Sequence, residues 1–179
     1  MINPSEVPPS AAGHPVSRRP WRTTGAVEQV LAATPEEVYA LVSDVTRIGE
    51  RSPECHTAAW ESGVPGTVGA TFRGRNRAGL LARWSRRCEV TEAEPGRVFA
   101  FRTVPERVDP TRRDSTTWTY RIEPVDGGTR VEHSYEITLL PLRPLRAVYG
   151  IVIPDHRDMR PQMRQNLAAL DRLLATSSG

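Results

Sequence analysis

The sequence of 179 residues contains only two cysteines, Cys55 and Cys88, and no lysine at all. Two cysteines without a metal-ligand spacing predict neither a disulfide framework nor a zinc site, so we expect both thiols to be reduced and packed. All 24 basic residues are arginines, and with 21 acidic residues the formal net charge is only +3. Arginine used without lysine is typical of the coding bias of a GC-rich genome. We therefore expect no nucleic-acid partner.

Long apolar runs are missing as well, so we predict neither a secretory signal peptide nor a membrane span, and we expect a cytoplasmic protein. The first twenty residues hold five prolines among small and polar residues. We interpret residues 1–22 as a flexible tail and residues 23–176 as one domain, which is long enough to bury a core without disulfides or metals. The sequence leaves the oligomeric state open.

Catalytic and metal-binding signatures are also absent. The sequence has no glycine-rich phosphate loop and no nucleophile elbow. His14, His56 and His156 do not combine with nearby acidic residues or with Cys55 at metal-ligand spacings. We therefore predict neither a metal nor a cofactor.

The first elements have clear start signals. Residues Thr24–Ala33 predict a strand. Thr34 is then followed by Pro35 and, three residues after the threonine, by Glu37, which is the pattern of a capped helix beginning at the proline. The segment Arg47–Cys55 predicts a second short helix, ended by the Ser-Pro pair within it.

The central part of the chain, from His56 to Leu140, predicts an antiparallel meander. Glu94-Pro95-Gly96 and Asp126-Gly127-Gly128 have the composition of hairpin turns. Apolar residues alternate with polar ones on both sides of the second turn, and an even-numbered loop there places both apolar sets on one face. We expect that face to carry an aromatic row of Trp118, Tyr120, His133 and Tyr135.

Two helical segments are predicted at the end of the chain. The first follows Pro144 and ends at Ile153, and the second runs from Asp155 to about Ala175. Pro161 lies inside the second segment, so it either kinks the helix or marks a later start. One face of this segment is apolar, with His156, Met159, Met163, Leu167, Leu170 and Leu174 at helical spacing.

Several segments of the sequence together resemble one superfamily. They are TPEEVYALVSDV (34–45), SPEC (52–55), GATFRGRNRAG (69–79), EAEPGRVFAFR (92–102) and EPVDGGTRVEHSYEI (123–137). Over roughly residues 24 to 175 the chain resembles the START-like (SRPBCC) superfamily, in the branch of polyketide cyclase/dehydrase and lipid-transport proteins. The resemblance implies an α+β helix-grip fold, with two short helices after the first strand and a curved seven-stranded antiparallel sheet around a long C-terminal helix. It also implies an internal cavity but transfers no mechanism, because the superfamily includes enzymes and carriers without a universal catalytic motif.

The ligand-binding residues are predicted from the face that this cavity would use. Aromatic walls with a few polar groups suit a small hydrophobic molecule. The alternative is that the same side chains only fill the core. The candidates are Trp84, Trp118, Tyr135, Met159 and Met163, with Asn76 as a polar member and Cys88 beside them.

His133 is the first candidate for catalysis. Val131 and Tyr135 flank it on its own face, so we expect its side chain to be desolvated and to titrate in the near-neutral range. Tyr120 is a candidate to orient a carbonyl group or to donate a proton. The alternative is a structural histidine that is hydrogen-bonded to Tyr120 or to a backbone carbonyl.

Arg86 is the third catalytic candidate, because its parity matches that of Trp84 and Cys88 and directs it inward. A buried guanidinium needs a partner. The candidates are a ligand carboxylate or enolate, Glu54, or solvent at the cavity mouth, and we favour the mouth.

The opposite face of the sheet is predicted to be basic. Arg73, Arg75 and Arg77 alternate with inward residues and should lie near Arg83 and Arg87. Such a patch suits an acidic carrier protein that delivers a tethered polyketide, or it is a solvated face that protects a sheet edge. The loop Thr103–Asp114 is a candidate cover for the cavity entrance.

Two functions therefore stay open. One is a cofactor-free cyclase or dehydratase for a polyketide-like or other polycyclic metabolite, in which His133 acts with Tyr120 or Arg86 in acid–base chemistry. The other is a non-catalytic carrier of a lipid or small molecule. A helper that delivers a product to another enzyme is a third, weaker reading.

Overall fold

The computed structural model describes residues 21–79, 82–106 and 108–177, and the proline-rich segment predicted as a tail lies outside this part up to residue 20. The described residues form seven strands and three α-helices. The strands are β1 Thr24–Leu31, β2 Cys55–Ser62, β3 Thr71–Ala78, β4 Ala82–Glu94, β5 Val98–Thr103, β6 Ser115–Val125 and β7 Gly128–Leu139. The helices are α1 Pro35–Ser43, α2 Arg143–Val152 and α3 Arg160–Ser177, and short 3₁₀ turns cover Val45–Glu50, Pro110–Arg112 and Pro154–Arg157.

The seven strands form one antiparallel sheet in the order β1-β7-β6-β5-β4-β3-β2. Consecutive strands from β2 to β7 are neighbours, as a meander requires, and β1 pairs with β7 and forms one edge of the sheet. With α3 at the end of the chain, this curved sheet is the helix-grip α+β fold that the sequence resemblance implies. Both predicted turns are confirmed, since β4 and β5 are joined around Gly96 and β6 and β7 around Asp126 and Gly127.

The main core lies where α3 packs against the sheet. Met159, just before the helix, and four residues of α3 are buried among large side chains of the strands such as Phe72 and Phe99. The helix contacts β1 and β7, and Asp171 accepts a hydrogen bond from the Gln29 side chain at 3.3 Å. The apolar stripe predicted for this helix is therefore its buried face: Met163, Leu167, Leu170 and Leu174.

Helix α1 begins as the sequence predicts. The Thr34 Oγ1 accepts a hydrogen bond from the Glu37 backbone N–H at 3.3 Å, and the Glu37 carboxylate accepts one from the Thr34 backbone N–H at 2.8 Å. This reciprocal capping satisfies backbone donors that the first helical turn leaves free. Val38, Leu41 and Val42 form its buried face.

The second short helix, predicted over Arg47–Cys55 with its end at the Ser-Pro pair, is present as a 3₁₀ turn that ends before this pair and begins two residues earlier than predicted. The structure has a 3₁₀ turn over Val45–Glu50, and Cys55 already belongs to β2. Gly49 lies in this turn close to the backbone of β2, because a Cβ atom there would lie 2.2 Å from the carbonyl oxygen of His56.

The start of α3 decides between the two roles considered for Pro161. The helix begins at Arg160, so Pro161 lies in its first turn, where its missing N–H costs nothing. His156 is therefore not on the helix, and it lies in the preceding 3₁₀ turn. None of the described helices is long and apolar enough to cross a membrane.

Candidate functional site

A cavity of about 500 Å³ lies between the inner face of the sheet and the chain around the start of α3. Residues of α2 and of the loop between β5 and β6 also line it, among them Tyr149, Thr111 and Asp114. Eight of the nine residues predicted as the site line this cavity: Asn76, Trp84, Arg86, Trp118, Tyr120, His133, Met159 and Met163. The loop considered as a cover is thus part of the cavity wall.

Tyr135 lies outside this lining. Its ring packs under β1, where a Cβ atom on Gly25 would come within 2.6 Å of the tyrosine Cε1. Its hydroxyl donates a hydrogen bond to the Arg22 backbone carbonyl at 3.3 Å. The structure therefore places Tyr135 between the sheet and the N-terminal residues of the described chain.

The aromatic row on β6 and β7 forms as the alternation predicts. Tyr120 is paired with His133, and Trp118 with Tyr135, across the two strands. The rings of Tyr120 and His133 are stacked, with centroids 4.0 Å apart and planes at 14°. Trp118 contacts the rings of both His133 and Tyr135, at centroid distances of 5.8 and 5.7 Å.

The prediction that His133 titrates near neutrality is wrong. The side chain is buried, with 4% of its surface exposed. Burial, with a smaller effect of the positive charge of Arg51, lowers the pKa of His133 to about 3. The imidazole is therefore neutral at physiological pH.

A buried polar cluster that sequence reasoning missed lies behind this ring pair. The Tyr120 hydroxyl donates a hydrogen bond to Asn166 Oδ1 at 3.0 Å, and both residues are buried. Burial raises the pKa of the Tyr120 phenol, and Arg51 opposes that rise. The Arg51 guanidinium is 3% exposed and donates to the Val42 carbonyl at 2.9 Å, while its Nε and Nη1 have no hydrogen-bond partner in the described chain.

Of Asn166 and Arg51, only Asn166 has a position in the sequence that could have indicated its role. Asn166 is a polar residue within the apolar stripe of α3, between Met163 and Leu167, and a polar group at such a position needs a buried partner. Arg51 has no comparable signal, because arginines are normally exposed and no apolar periodicity in its segment indicates burial.

Two pairs of charged or titratable side chains lie in the wall of the cavity. Arg86 donates to the Asp114 carboxylate at 2.7 Å through Nη1 and to the Asp114 backbone carbonyl at 2.6 Å through Nη2. Arg86 does point inward, as its parity predicts. Its partner in the structure is Asp114 of the β5–β6 loop, and not Glu54.

Glu54 has a different partner, which the sequence analysis did not foresee. Its carboxylate lies 2.9 Å from His156 Nε2, and the His156 ring packs edge-on against Trp84 at 5.8 Å. Burial opposes charge on this histidine, but the hydrogen bond with Glu54 raises its pKa above the usual value. This pair joins the start of β2 to the turn that precedes α3.

Both cysteines line the cavity but are poor nucleophiles. Burial raises the pKa of Cys55 to about 11 and that of Cys88 to about 12. A thiol must lose its proton before it attacks an electrophile. Cys55 and Cys88 therefore act as small apolar parts of the wall, in agreement with the expectation that they are reduced and packed.

Comparison with known proteins gives a family and a set of similar folds. The family model described as "Polyketide cyclase / dehydrase and lipid transport" matches residues 22–175. None of the curated proteins matches the chain.

Three solved structures illustrate the similarity of the fold. The di-domain ARO/CYC StfQ from the steffimycin biosynthetic pathway has a TM-score of 0.67 at 15% identity, over 88% of this chain and 52% of that one. A protein from Arthrobacter aurescens has a TM-score of 0.61 at 16% identity, over 86% of this chain and 87% of that one. A protein from Mesorhizobium loti has a TM-score of 0.59 at 19% identity, over 86% of this chain and 97% of that one. At these identities the similarity concerns the fold alone, and the chain spans about half the length of StfQ.

Proposed function

Because the chain belongs to the polyketide cyclase/dehydrase and lipid-transport family, we propose that its cavity binds a hydrophobic, polyketide-like or other polycyclic small molecule. The observation that carries this proposal is the cavity itself. Its volume of about 500 Å³ lies within the range of ligand sites in proteins, and aromatic and aliphatic side chains make up most of its wall.

The second part of the proposal is chemical. We infer that the protein promotes cyclisation or dehydration of this molecule without a cofactor, mainly by holding a reactive chain in a folded conformation. The catalytic roles predicted for His133, Tyr120 and Arg86 stay predictions. The structure limits these roles, because His133 is neutral and Arg86 is already paired with Asp114.

A carrier without chemistry is the second candidate function. The observation in its favour concerns the same two residues. A histidine with a pKa of about 3 cannot deliver a proton as imidazolium at neutral pH, and a paired arginine is not free to act on a substrate. The ordered polar groups would then only fix the orientation of a bound lipid or metabolite.

Binding is tested by filling the cavity. Ile137 on β7 lines it and is half-buried, whereas the next residue, Thr138, is exposed. We expect Ile137→Trp to weaken binding of a polycyclic probe, 2-acetylnaphthalene, by about 1–3 kcal/mol, the usual cost of overpacking an apolar site. Thr138→Trp is the matched control and should bind as the unchanged protein does, with affinities taken from native mass spectrometry and a fluorescence titration. Equal affinity of both variants would place the ligand elsewhere and refute the proposal.

Catalysis and carriage are separated by the fate of the ligand. The first step is to identify any small molecule that co-purifies, by native followed by denaturing mass spectrometry. That molecule, or a synthetic polyketide chain, is then incubated with the protein and recovered. Recovery of a cyclised or dehydrated product, above the rate in buffer and blocked by Ile137→Trp, supports the enzyme. Quantitative recovery of unchanged ligand supports the carrier.

An acidic carrier protein remains a proposed partner. Arg73 and Arg87 are neighbours on β3 and β4, on the face that the sequence analysis predicted to be basic. Both already pair with Glu61, which lowers the charge that a partner would meet, while Arg75 and Arg77 are exposed. Docking there would weaken with added salt, and Arg75→Glu would abolish it without changing the binding of 2-acetylnaphthalene.

A further inference from the structure

Asn166 presents hydrogen-bond donors to the cavity. Its Oδ1 accepts the hydrogen bond of Tyr120, which fixes the orientation of the amide and turns Nδ2 away from the phenol. Asn166 lines the cavity, and its Nδ2 has no partner in the described chain. Nδ2 is not fully enclosed by protein atoms, and the open space beside it is the cavity. The two N–H groups of Asn166 are therefore available to a ligand.

The Arg51 guanidinium determines the direction of the Tyr120 hydrogen bond. Arg51 is a donor only, it interacts with the Tyr120 phenol oxygen, and it does not line the cavity. An oxygen that faces a guanidinium must direct its own proton elsewhere, and the Asn166 carbonyl oxygen is the acceptor at 3.0 Å. A buried cation next to Tyr120 thus determines which end of the Asn166 amide faces the ligand.

The two ring nitrogens of His133 also differ in their surroundings. Nδ1 is enclosed and has no hydrogen-bond partner, whereas Nε2 is not fully enclosed, and the residue lines the cavity. A neutral imidazole carries one N–H and one lone pair. The lone pair is the better choice for the enclosed Nδ1, since it costs less there than an unpaired N–H and the field of Arg51 favours it. The proton then resides on Nε2 and points into the cavity.

We propose that His133 Nε2–H and Asn166 Nδ2–H together bind one carbonyl or enolate oxygen of the ligand, with Arg51 as a positioning residue behind them. The two donors flank the same tyrosine, one stacked on its ring at 4.0 Å and the other bonded to its hydroxyl at 3.0 Å. This inference rests on the proposed function and names the ligand class more closely: a polycyclic molecule with a ketone, enol or phenol oxygen, in preference to a plain hydrocarbon chain.

Such a site polarises an oxygen without transferring a proton to it. A neutral imidazole can act as an electrophile towards a carbonyl group, and preorganised donors in an enclosed site stabilise negative charge that develops on oxygen. The unpaired charge of Arg51 adds to this field, because no carboxylate of the described chain forms an ion pair with it. The low basicity of His133 then serves the site, since the N–H stays in place across the physiological pH range.

The test compares two probes of the same carbon skeleton, one with a ketone carbonyl group and one with a methylene group in its place. We expect the protein to bind 2-acetylnaphthalene more tightly than 2-ethylnaphthalene by roughly 25-fold, given about fivefold for each of the two donors. The carbonyl stretch of bound 2-acetylnaphthalene, read by infrared difference spectroscopy, should lie at lower wavenumber than in an apolar solvent, which a merely structural role of the two residues would not cause.

Two conservative variants remove one donor each. Asn166→Asp keeps an acceptor for Tyr120 and loses both N–H groups. His133→Phe keeps a ring stacked on Tyr120 and loses the Nε2 donor. Each should lower the preference for the ketone about fivefold or more and shift the carbonyl stretch back, with binding of 2-ethylnaphthalene unchanged. Gln165→Leu removes an exposed amide from the same helix and is the matched control.

The outcomes are distinct. A ketone preference that falls about fivefold in each of the two variants, and not in Gln165→Leu, supports the inference. Equal binding of the two probes by the unchanged protein overturns it and leaves the proposed cavity function standing, as does a preference that is undiminished in either variant. If neither probe binds, the cavity proposal fails and this inference fails with it.

Discussion

At the scale of single residues, His133 links the stability of the protein to pH. Its pKa is about 3 in the folded chain, compared with about 6.5 for an unfolded histidine, so between these values the unfolded state binds the extra proton. Stability from this group is complete above pH 6.5 and is lost as the pH falls towards 3. Between pH 7 and pH 5 we expect it to account for a loss of about 2 kcal/mol in the free energy of unfolding.

Urea unfolding at the two pH values measures this effect. His133→Phe should remove about 2 kcal/mol from the difference between pH 7 and pH 5, whatever its stability at either pH. His56→Gln, at an exposed position of β2, serves as the control and should leave the difference unchanged. The same pH dependence in the unchanged protein and in His133→Phe would show that the histidine is not buried in its neutral form.

The residue scale also shows where sequence reasoning succeeds. Alternation along β6 and β7 was enough to place Trp118, Tyr120 and His133 on one face, because strand parity depends only on position. The titration of His133 was not predictable, since it depends on the depth of its burial and on Arg51, which lies 82 positions earlier in the chain. Arg86 is similar: its direction follows from parity, but its partner Asp114 comes from a loop whose path the sequence does not specify.

Among the elements, α1 was predictable and the connection after it was not. Thr34 and Glu37 cap the helix through contacts three residues apart, so local sequence contains the full cause. In the following turn, the close approach of Gly49 to the backbone of β2 is a tertiary contact, which local sequence does not specify. The start of α3 was partly predictable. Pro161 allowed either a kink or a later start, and the structure has the later start.

Helix α2 and the β5–β6 loop are joined in the cavity wall, because the Tyr149 hydroxyl donates a hydrogen bond to the Thr111 carbonyl at 2.9 Å. We expect Tyr149→Phe to speed dissociation of 2-acetylnaphthalene about fivefold, the effect of one lost hydrogen bond of about 1 kcal/mol. Stopped-flow fluorescence measures the rate. Tyr39→Phe, on α1 and outside the cavity lining, should leave the dissociation rate unchanged. An unaltered rate in Tyr149→Phe would mean that the ligand leaves by another route.

On the scale of the whole molecule, the first described residues belong to the domain. Trp21 lines the cavity, and the Arg22 backbone bonds to the Arg157 carbonyl at 2.9 Å and to the Tyr135 hydroxyl. The sequence analysis placed these two residues in the tail, and we propose instead that the domain begins at Trp21. The cause is tertiary again, since nothing local distinguishes Trp21 from the proline-rich segment before it.

Two truncations test this boundary. Removal of residues 1–20 should leave the free energy of unfolding unchanged, whereas removal of residues 1–22 should lower it by about 1–3 kcal/mol through lost hydrogen bonds and apolar contact. Thermal and urea unfolding of both proteins give the comparison. Equal stability of the two truncated proteins would return the boundary to residue 23.

The pairing of β1 with β7 also determines when the fold can form during synthesis. Thr24 lies opposite Glu136 and Leu31 opposite Thr129, so about a hundred residues separate the two strands in the chain. During synthesis β1 therefore has no partner strand until β7, and with it nearly the whole domain, has emerged from the ribosome. The edge strand β1 is synthesised first, but the sheet can be completed only near the end of translation of the domain.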